Sequence, residues 1–223
     1  MKLGLVYTST TPELMETLET EIRKTIGREA EVFVYQNADI LVKTREAGYV
    51  TREAAVMLGN LYLQAMEDGV DAILNVCSSV GEAADAFDSY GKYCGVPIVR
   101  IDLKMCCEAV RLGKRIGVLA TLPTTLEPTK NTLRRVAREL GREITLVDGL
   151  IDGAFGINQE EFKKMMADKA AEIIDKVDVI LLCQGSMAYC EELLHETFNK
   201  PVLSSPRFGA QALKEALIKK GVM

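Results

Sequence analysis

The chain repeats itself once, and that repeat restricts its fold more than any other feature. Arg115-Ile-Gly-Val-Leu-Ala-Thr121 restates Lys2-Leu-Gly-Leu-Val-Tyr-Thr8 at an offset of 113 residues, and Glu143-Ile-Thr-Leu-Val147 answers Glu31-Val-Phe-Val-Tyr35. Asp178-Val-Ile-Leu-Leu-Cys183 answers Asp71-Ala-Ile-Leu-Asn-Val-Cys77, and Asn199-Lys-Pro-Val-Leu203 answers Gly95-Val-Pro-Ile-Val99. A period of about 105–113 residues is too long for a solenoid, whose units run to about 50 residues at most, so it marks a duplicated α/β unit. Each half alternates apolar strand-length runs with helical patterns, the signature of parallel sheets covered on both faces. The expected fold class is therefore α/β, two similar lobes related by a pseudo-twofold axis. Each lobe is a mainly parallel sheet flanked by helices, with a ligand cleft where the strand carboxyl ends meet. The lobes are placed at 1–99 with 207–223, and at 100–206.

Within the first half, Leu3 to Tyr7 reads as a strand, followed by a helix with Leu14, Leu18, Ile22 and Ile26 on one face. Thr10 and Glu13 have capping-box spacing, with Pro12 in the first turn. Glu31 to Tyr35 is a strand, 36–53 a loop or irregular helix, and Ala54 to Asp68 a helix stopped by Gly69. Ala72 to Cys77 is a buried strand, Ser79 and Glu82 form a second capping box, and Pro97 to Ile101 is a strand. Thr124-Thr125-Leu126 opens the matching turn of the second half. The segment from Phe208 to Lys220 is a helix with Leu213, Leu217 and Ile218 apolar, expected to return to the first lobe.

Composition excludes several function classes. A net charge of -5, from 27 basic and 32 acidic residues, leaves no basic footprint for nucleic acid. The apolar runs fall far short of the roughly 20 residues that span a bilayer, and Met1-Lys2 leads into a strand, so a cytoplasmic protein with no membrane partner is expected. No G-x-G-x-x-G or Walker-type loop supports a nucleotide. Six cysteines without C-x-x-C, beside a single histidine, His195, support neither a disulfide framework nor a metal site. No cofactor is expected.

The repeat singles out two of the six. Cys77 and Cys183 each end a buried strand at the entrance to a helix, one per half. A helix amino terminus directs unpaired N–H groups outward, which lowers a thiol pKa and cradles a carboxylate. Two thiols flanking one carbon, one ionised and one protonated, suit proton removal from one face and return to the other. Cys94, Cys106, Cys107 and Cys190 lack a matched counterpart and are read as packing. His195 and Arg207 are read as surface groups, Arg100 as solvated, and Glu82 as a cap.

The chain resembles the aspartate/glutamate/hydantoin racemase family through Leu3-Gly-Leu-Val-Tyr7, Asn75-Val-Cys-Ser-Ser79, Arg115 to Leu122, and Leu182-Cys-Gln-Gly-Ser-Met-Ala188. The last two segments are closer to the hydantoin racemase branch. The resemblance implies cofactor-independent racemisation or epimerisation at the α-carbon of a small carboxylate or hydantoin-like compound, with Cys77 and Cys183 as opposed acid and base. It also implies a homo-oligomer. Thr8, Ser9, Thr10, Ser78, Ser79, Thr121, Thr125, Gly185 and Ser186 are the candidate substrate-binding residues, short donors for a carboxylate or carbonyl oxygen. Ser78-Ser79 and Gln184-Gly185-Ser186 stand where amino-acid racemases carry Asn-Thr and a Thr followed by an acid or His. No group for an α-amino nitrogen is evident, which argues against aspartate or glutamate as substrate. Alternatives are a same-fold decarboxylase or cis-trans isomerase, or a non-catalytic small-acid-binding protein. Retention of both cysteines argues against the one-thiol decarboxylase.

Overall fold

The computed structural model describes residues 1–154 and 156–223, and in it strand and helix alternate through two compact units. The first, Met1–Asp102 with Pro206–Met223, contains β1 (Lys2–Tyr7), α1 (Pro12–Thr25), β2 (Glu31–Gln36), α2 (Asp39–Ala47), α3 (Arg52–Glu67), β3 (Ala72–Asn75), α4 (Gly81–Tyr93) and β4 (Ile98–Arg100). The second, Leu103–Ser205, contains α5 (Leu103–Leu112), β5 (Arg115–Ala120), α6 (Pro123–Glu139), β6 (Thr145–Leu150), α7 (Gln159–Ile173), β7 (Val179–Leu182), α8 (Glu191–Phe198) and β8 (Val202–Ser204). Helix α9 (Ser205–Lys220) begins at the junction and belongs to the first unit.

Both sheets are parallel, in the orders β2-β1-β3-β4 and β6-β5-β7-β8. Side chains alternate across a strand, so each sheet feeds two apolar layers. In the first unit Leu3, Leu5, Leu74 and Val76 pack with Leu14, Leu18 and Ile22 of α1 and Leu213 and Leu217 of α9. Val6 and Ile73 face the other way, against Leu58, Tyr62 and Ala65 of α3 and Ala84 of α4. In the second unit Ile180 and Leu182 meet Phe162, Met166, Ala170 and Ile173 of α7 and Leu194 of α8. Burial of each such side chain contributes about 1.5–3 kcal/mol.

Several local expectations change. The cap of α1 is Thr11, whose side chain accepts from the Leu14 N–H, because Thr10 lies one residue too early. The segment 36–53 holds a regular helix, α2, ended by Gly48 at φ 81°, a conformation a Cβ would oppose. Ser79 does not cap α4: a single 3-10 turn over Ser78–Val80 comes first, and the helix starts after Val80 without a side-chain cap. Strand β6 starts two residues later than its sequence match. Ile218 is exposed, while Phe208, Ala210, Leu213 and Leu217 supply the buried face of α9. Of the cysteines read as packing, Cys106 and Cys190 are buried, Cys107 is partly buried, and Cys94 is exposed just beyond α4.

Candidate active site

Beyond β3 the chain stays extended to Cys77 (φ -154°, ψ 113°), the residue that precedes the 3-10 turn leading into α4. This places the Ser79 and Val80 N–H groups and the Ser79 hydroxyl around the Cys77 sulfur. Thr8, the first residue past β1, adds a hydroxyl. Its Oγ1 is sealed from solvent without a hydrogen-bond partner in the resting protein, yet it stands close enough to the sulfur to favour a thiolate there. Burial outweighs these donors and pushes the Cys77 thiol above its ordinary range. That corrects the expected depressed thiol: the N–H groups are present as the sequence predicts, but desolvation is the larger effect. At neutral pH Cys77 is an S–H group among donors that act fully only once it ionises.

A buried polar chain supports this corner. Tyr62 Oη donates to Asn75 Oδ1 at 2.9 Å, and Asn75 Nδ2 donates to the Cys77 carbonyl at 2.9 Å. Sequence reading missed both residues, although an Asn inside an otherwise apolar strand was a visible signal. Arg100, expected to be solvated, is 3% exposed and paired: Nε and Nη2 grip Asp102 at 2.9 Å each, and Nη1 reaches Asp85 at 2.8 Å. Its guanidinium lies on the first residue of α4, where a Cβ at Gly81 would come within 2.4 Å of Nη2.

In the second unit the strand ladders overturn the alignment of the two cysteines. The Lys2 N–H donates to the Asp71 carboxylate and the Arg115 N–H to the Asp178 carboxylate, each at 2.8 Å. From these anchors Leu3 pairs with Ala72 and Ile116 with Val179, and the ladders run on in step. They end with Val76 N–H on the Val6 carbonyl at 2.8 Å and Cys183 N–H on the Leu119 carbonyl at 2.9 Å. Cys183 thus corresponds to Val76, and the counterpart of Cys77 is Gln184. The physical reason is a segment one residue shorter between Asp178 and its cysteine, which moves the side chain to the opposite face of the sheet. Gln184 also precedes a 3-10 segment, Gly185–Cys190, in extended conformation. Cys183 is fully buried; Cys77 and Gln184 are partly exposed.

The Gln184 side chain closes on Thr121, the counterpart of Thr8: the Thr121 N–H donates to Oε1 at 2.9 Å, and Nε2 donates to the Thr121 hydroxyl at 2.6 Å. Two further hydroxyls at strand carboxyl ends, Thr124 Oγ1 past β5 and Ser205 Oγ past β8, are buried without partners. Neither was singled out from the sequence, where they resemble ordinary helix-opening residues. Of the candidates that were, Ser78 and Ser79 are buried beside Cys77, and Ser9 and Thr10 are partly exposed in the turn after β1. Thr125 is buried in the first turn of α6, its carbonyl taken by the Thr129 hydroxyl. Gly185 and Ser186 lie half-buried after Gln184. His195 is exposed, its Nδ1 2.8 Å from the Lys200 carbonyl. Among the described residues no three His, Cys, Asp or Glu side chains gather as a metal site, and no helix is long and apolar enough to cross a membrane.

Comparison with known proteins agrees with this architecture. No curated protein sequence matches the chain. Among solved structures it is similar to a glutamate racemase from Bacillus anthracis (TM-score 0.77, 14% identity, covering 99% of this chain and 82% of that one). An allantoin racemase from Klebsiella pneumoniae is also similar (0.69, 16%, 99% and 89%), as is the aspartate racemase of Picrophilus torridus (0.66, 14%, 99% and 94%). The family profile described as Asp/Glu/Hydantoin racemase matches residues 3–213. With two parallel four-stranded sheets and a match over nearly its whole length, the chain belongs to the Asp/Glu/hydantoin racemase family.

Proposed function

We propose that this protein is a cofactor-independent enzyme that moves a proton at a carbon next to a carboxylate or carbonyl of a small substrate, in the racemase and epimerase class, with Cys77 as its acid/base group. The observation that carries the reading is the Cys77 corner: the thiol of a partly exposed residue, ringed by two backbone N–H groups, the Ser79 hydroxyl and the orphaned Thr8 hydroxyl. Removing a proton from such a carbon leaves negative charge on the adjoining oxygen, and fixed hydroxyl and N–H donors stabilise that charge as it develops. Thr8, Ser9, Thr10, Ser78 and Ser79 supply these donors in the first unit. In the second unit Thr121, Thr125, Gly185 and Ser186 are the candidates the sequence offers, and Thr124 and Ser205 are further candidates there because their buried hydroxyls have no partner.

The relatives are named for allantoin, glutamate and aspartate, whose reacting carbons all adjoin a carbonyl or carboxylate. A carboxylate or hydantoin-like substrate suits a corner built of neutral donors. The two-thiol form expected from the sequence, with Cys77 and Cys183 as opposed base and acid, asks for an accessible Cys183 sulfur, and that residue is enclosed. The test is incubation in heavy water with a panel of chiral 5-substituted hydantoins, amino acids and 2-hydroxy acids. Deuterium should enter the α-carbon of at least one compound, and Cys77→Ser should slow it by about 100-fold or more, the scale of a lost general acid/base. Absence of exchange across the panel rejects the reading.

A further inference from the structure

A buried polar pair in the first unit has no equivalent in the second. Asn75 closes β3 fully buried, and its counterpart closing β7 is Leu182. Its partner Tyr62, also fully buried, lies on α3. Helix α7 leads into β7 as α3 leads into β3, and it turns the apolar Phe162, Met166, Ala170 and Ile173 inward. The same sheet plan therefore folds with hydrocarbon at both places, and replacing two bonded polar groups by apolar ones of similar shape is close to neutral for stability. What the second unit also lacks is a thiol at the Cys77 position, which Gln184 fills. The polar pair accompanies the thiol.

The bonds of the pair have a fixed direction. The Cys77 carbonyl can only accept, so it takes the Asn75 Nδ2 proton at 2.9 Å, and Oδ1 is left to accept from the Tyr62 hydroxyl at 2.9 Å. The Asn75 backbone is itself held by both neighbouring strands. The Ile101 N–H donates to its carbonyl at 3.1 Å, and the next N–H, of Val76, donates to the Val6 carbonyl at 2.8 Å. Val76 makes the last ladder bond, so the Cys77 peptide lies past the sheet's own support, and the Asn75 amide reaches forward two residues to hold it. We infer that Asn75, clamped by Tyr62, is the positioning residue of Cys77: it pins the Cys77 carbonyl to the end of β3 and so keeps the Ser79 and Val80 N–H groups aimed at the sulfur. The inference rests on the proton-transfer reading above, which makes Cys77 the acid/base group, and names what holds that group in place. Without the pin, rotation about the Cys77 ψ angle swings those donors off the sulfur, and desolvation, already the larger effect, is opposed by fewer of them. The Tyr62 hydroxyl feels Cys77, Arg100 at the end of β4 and Asp85 of α4, the last two an ion pair acting in opposite directions. Burial holds the Tyr62 proton well beyond the range of a free phenol, so its bond to Asn75 persists while Cys77 titrates.

The experiment compares the pH midpoint of Cys77 alkylation by iodoacetamide across variants of the full chain, with exposed Cys94 as internal reference. Asn75→Leu should raise the midpoint by about one pH unit, a roughly tenfold smaller thiolate fraction at neutral pH. Tyr62→Phe, which keeps the amide but frees its far end, should raise it by about half a unit. The double variant Tyr62→Phe with Asn75→Leu removes the orphaned hydroxyl and recovers stability, yet its midpoint should stay with that of Asn75→Leu, because the Cys77 carbonyl still has no donor. Ile22→Ala, a destabilising change in α1, should leave the midpoint at the wild-type value. Unfolding cannot imitate these results, since an opened chain labels Cys77 faster and exposes the buried Cys106 as well. A wild-type midpoint in Asn75→Leu, or a double variant whose midpoint returns together with its stability, overturns the inference. Where a panel compound exchanges deuterium, Asn75→Leu should lower kcat about tenfold and leave KM within about twofold, and a raised KM at unchanged kcat likewise overturns it. A panel that shows no exchange rejects the functional reading alone, and the alkylation midpoints still decide whether Asn75 positions Cys77.

Discussion

At Cys77 two opposing influences can be separated by experiment. The backbone N–H groups and hydroxyls favour the thiolate, desolvation favours the thiol, and the thiol prevails. Its rate of alkylation should therefore pass through half of its alkaline plateau above about pH 8.5, the midpoint of a free thiol. Peptide mapping after iodoacetamide pulses across pH 7–11 would show this, and a plateau below pH 8 would reject the assignment of causes. Thr8→Val removes one donor without changing size and should move the profile further up. Asn75 offers a second test. Replacing it by Leu, the residue at its counterpart position 182, orphans the Tyr62 hydroxyl and the Cys77 carbonyl. An unsatisfied buried polar group costs about 1–3 kcal/mol, which a urea midpoint would register. Tyr62→Phe together with Asn75→Leu should recover part of that loss, because the orphaned hydroxyl is then gone.

Among the elements, α4 and β4 are joined by a charged group under a glycine. Gly81 opens α4 with Arg100 directly against it, so Gly81→Ala must displace the guanidinium from Asp102 and Asp85. Breaking a buried pair on one side typically costs about 3–5 kcal/mol, and thermal unfolding should show a loss on that scale. Gly81→Ala in an Arg100→Met background should cost less, since methionine can bend away. This contact was not legible in the sequence. Arg100 ends a strand just as a solvated residue would, and only the folded positions of Asp85 and Asp102 show that it is enclosed. The strands themselves were legible, because apolar runs of four to six residues bounded by Gly, Asp and Pro carry their own signal. Helix α2 was not, since its short buried stripe, Ile40, Leu41 and Thr44, is broken by polar neighbours.

For the whole molecule, the two units are unequal in how the chain closes them. The first depends on α9, which arrives after the entire second unit and supplies Leu213 and Leu217 to the layer that covers β1 and β3. Leu213→Ala should destabilise the protein by about 3 kcal/mol, and deletion of 206–223 should unfold the first unit, visible as lost protection of β1 and β3 amides in hydrogen exchange. Stability should also fall at alkaline pH. Burial pushes the Cys190 thiol up to about 12 and raises Cys77 and Cys107 as well. The unfolded chain loses these protons first, so the contribution is fully present below about pH 8.5 and is lost as pH rises through the folded-state values. Urea midpoints at pH 7, 9 and 10 should decline in that order.

The sequence by itself determined the duplicated α/β plan, the parallel sheets and the family, because strand alternation and repeat spacing are local properties that survive without contacts. It also picked out the Cys77 corner, where strand end, short turn and helix start are contiguous. What only the tertiary structure decided is which residue answers Cys77 in the second half. Matching by residue type aligned Cys with Cys, yet the Asp71 and Asp178 anchors set the hydrogen-bond register, and a segment shorter by one residue turns Cys183 to the face of its sheet opposite the one Cys77 takes, where it is enclosed. A strand has a two-residue period, so that single position separates an accessible side chain from an enclosed one, and it is Gln184 that takes the accessible place.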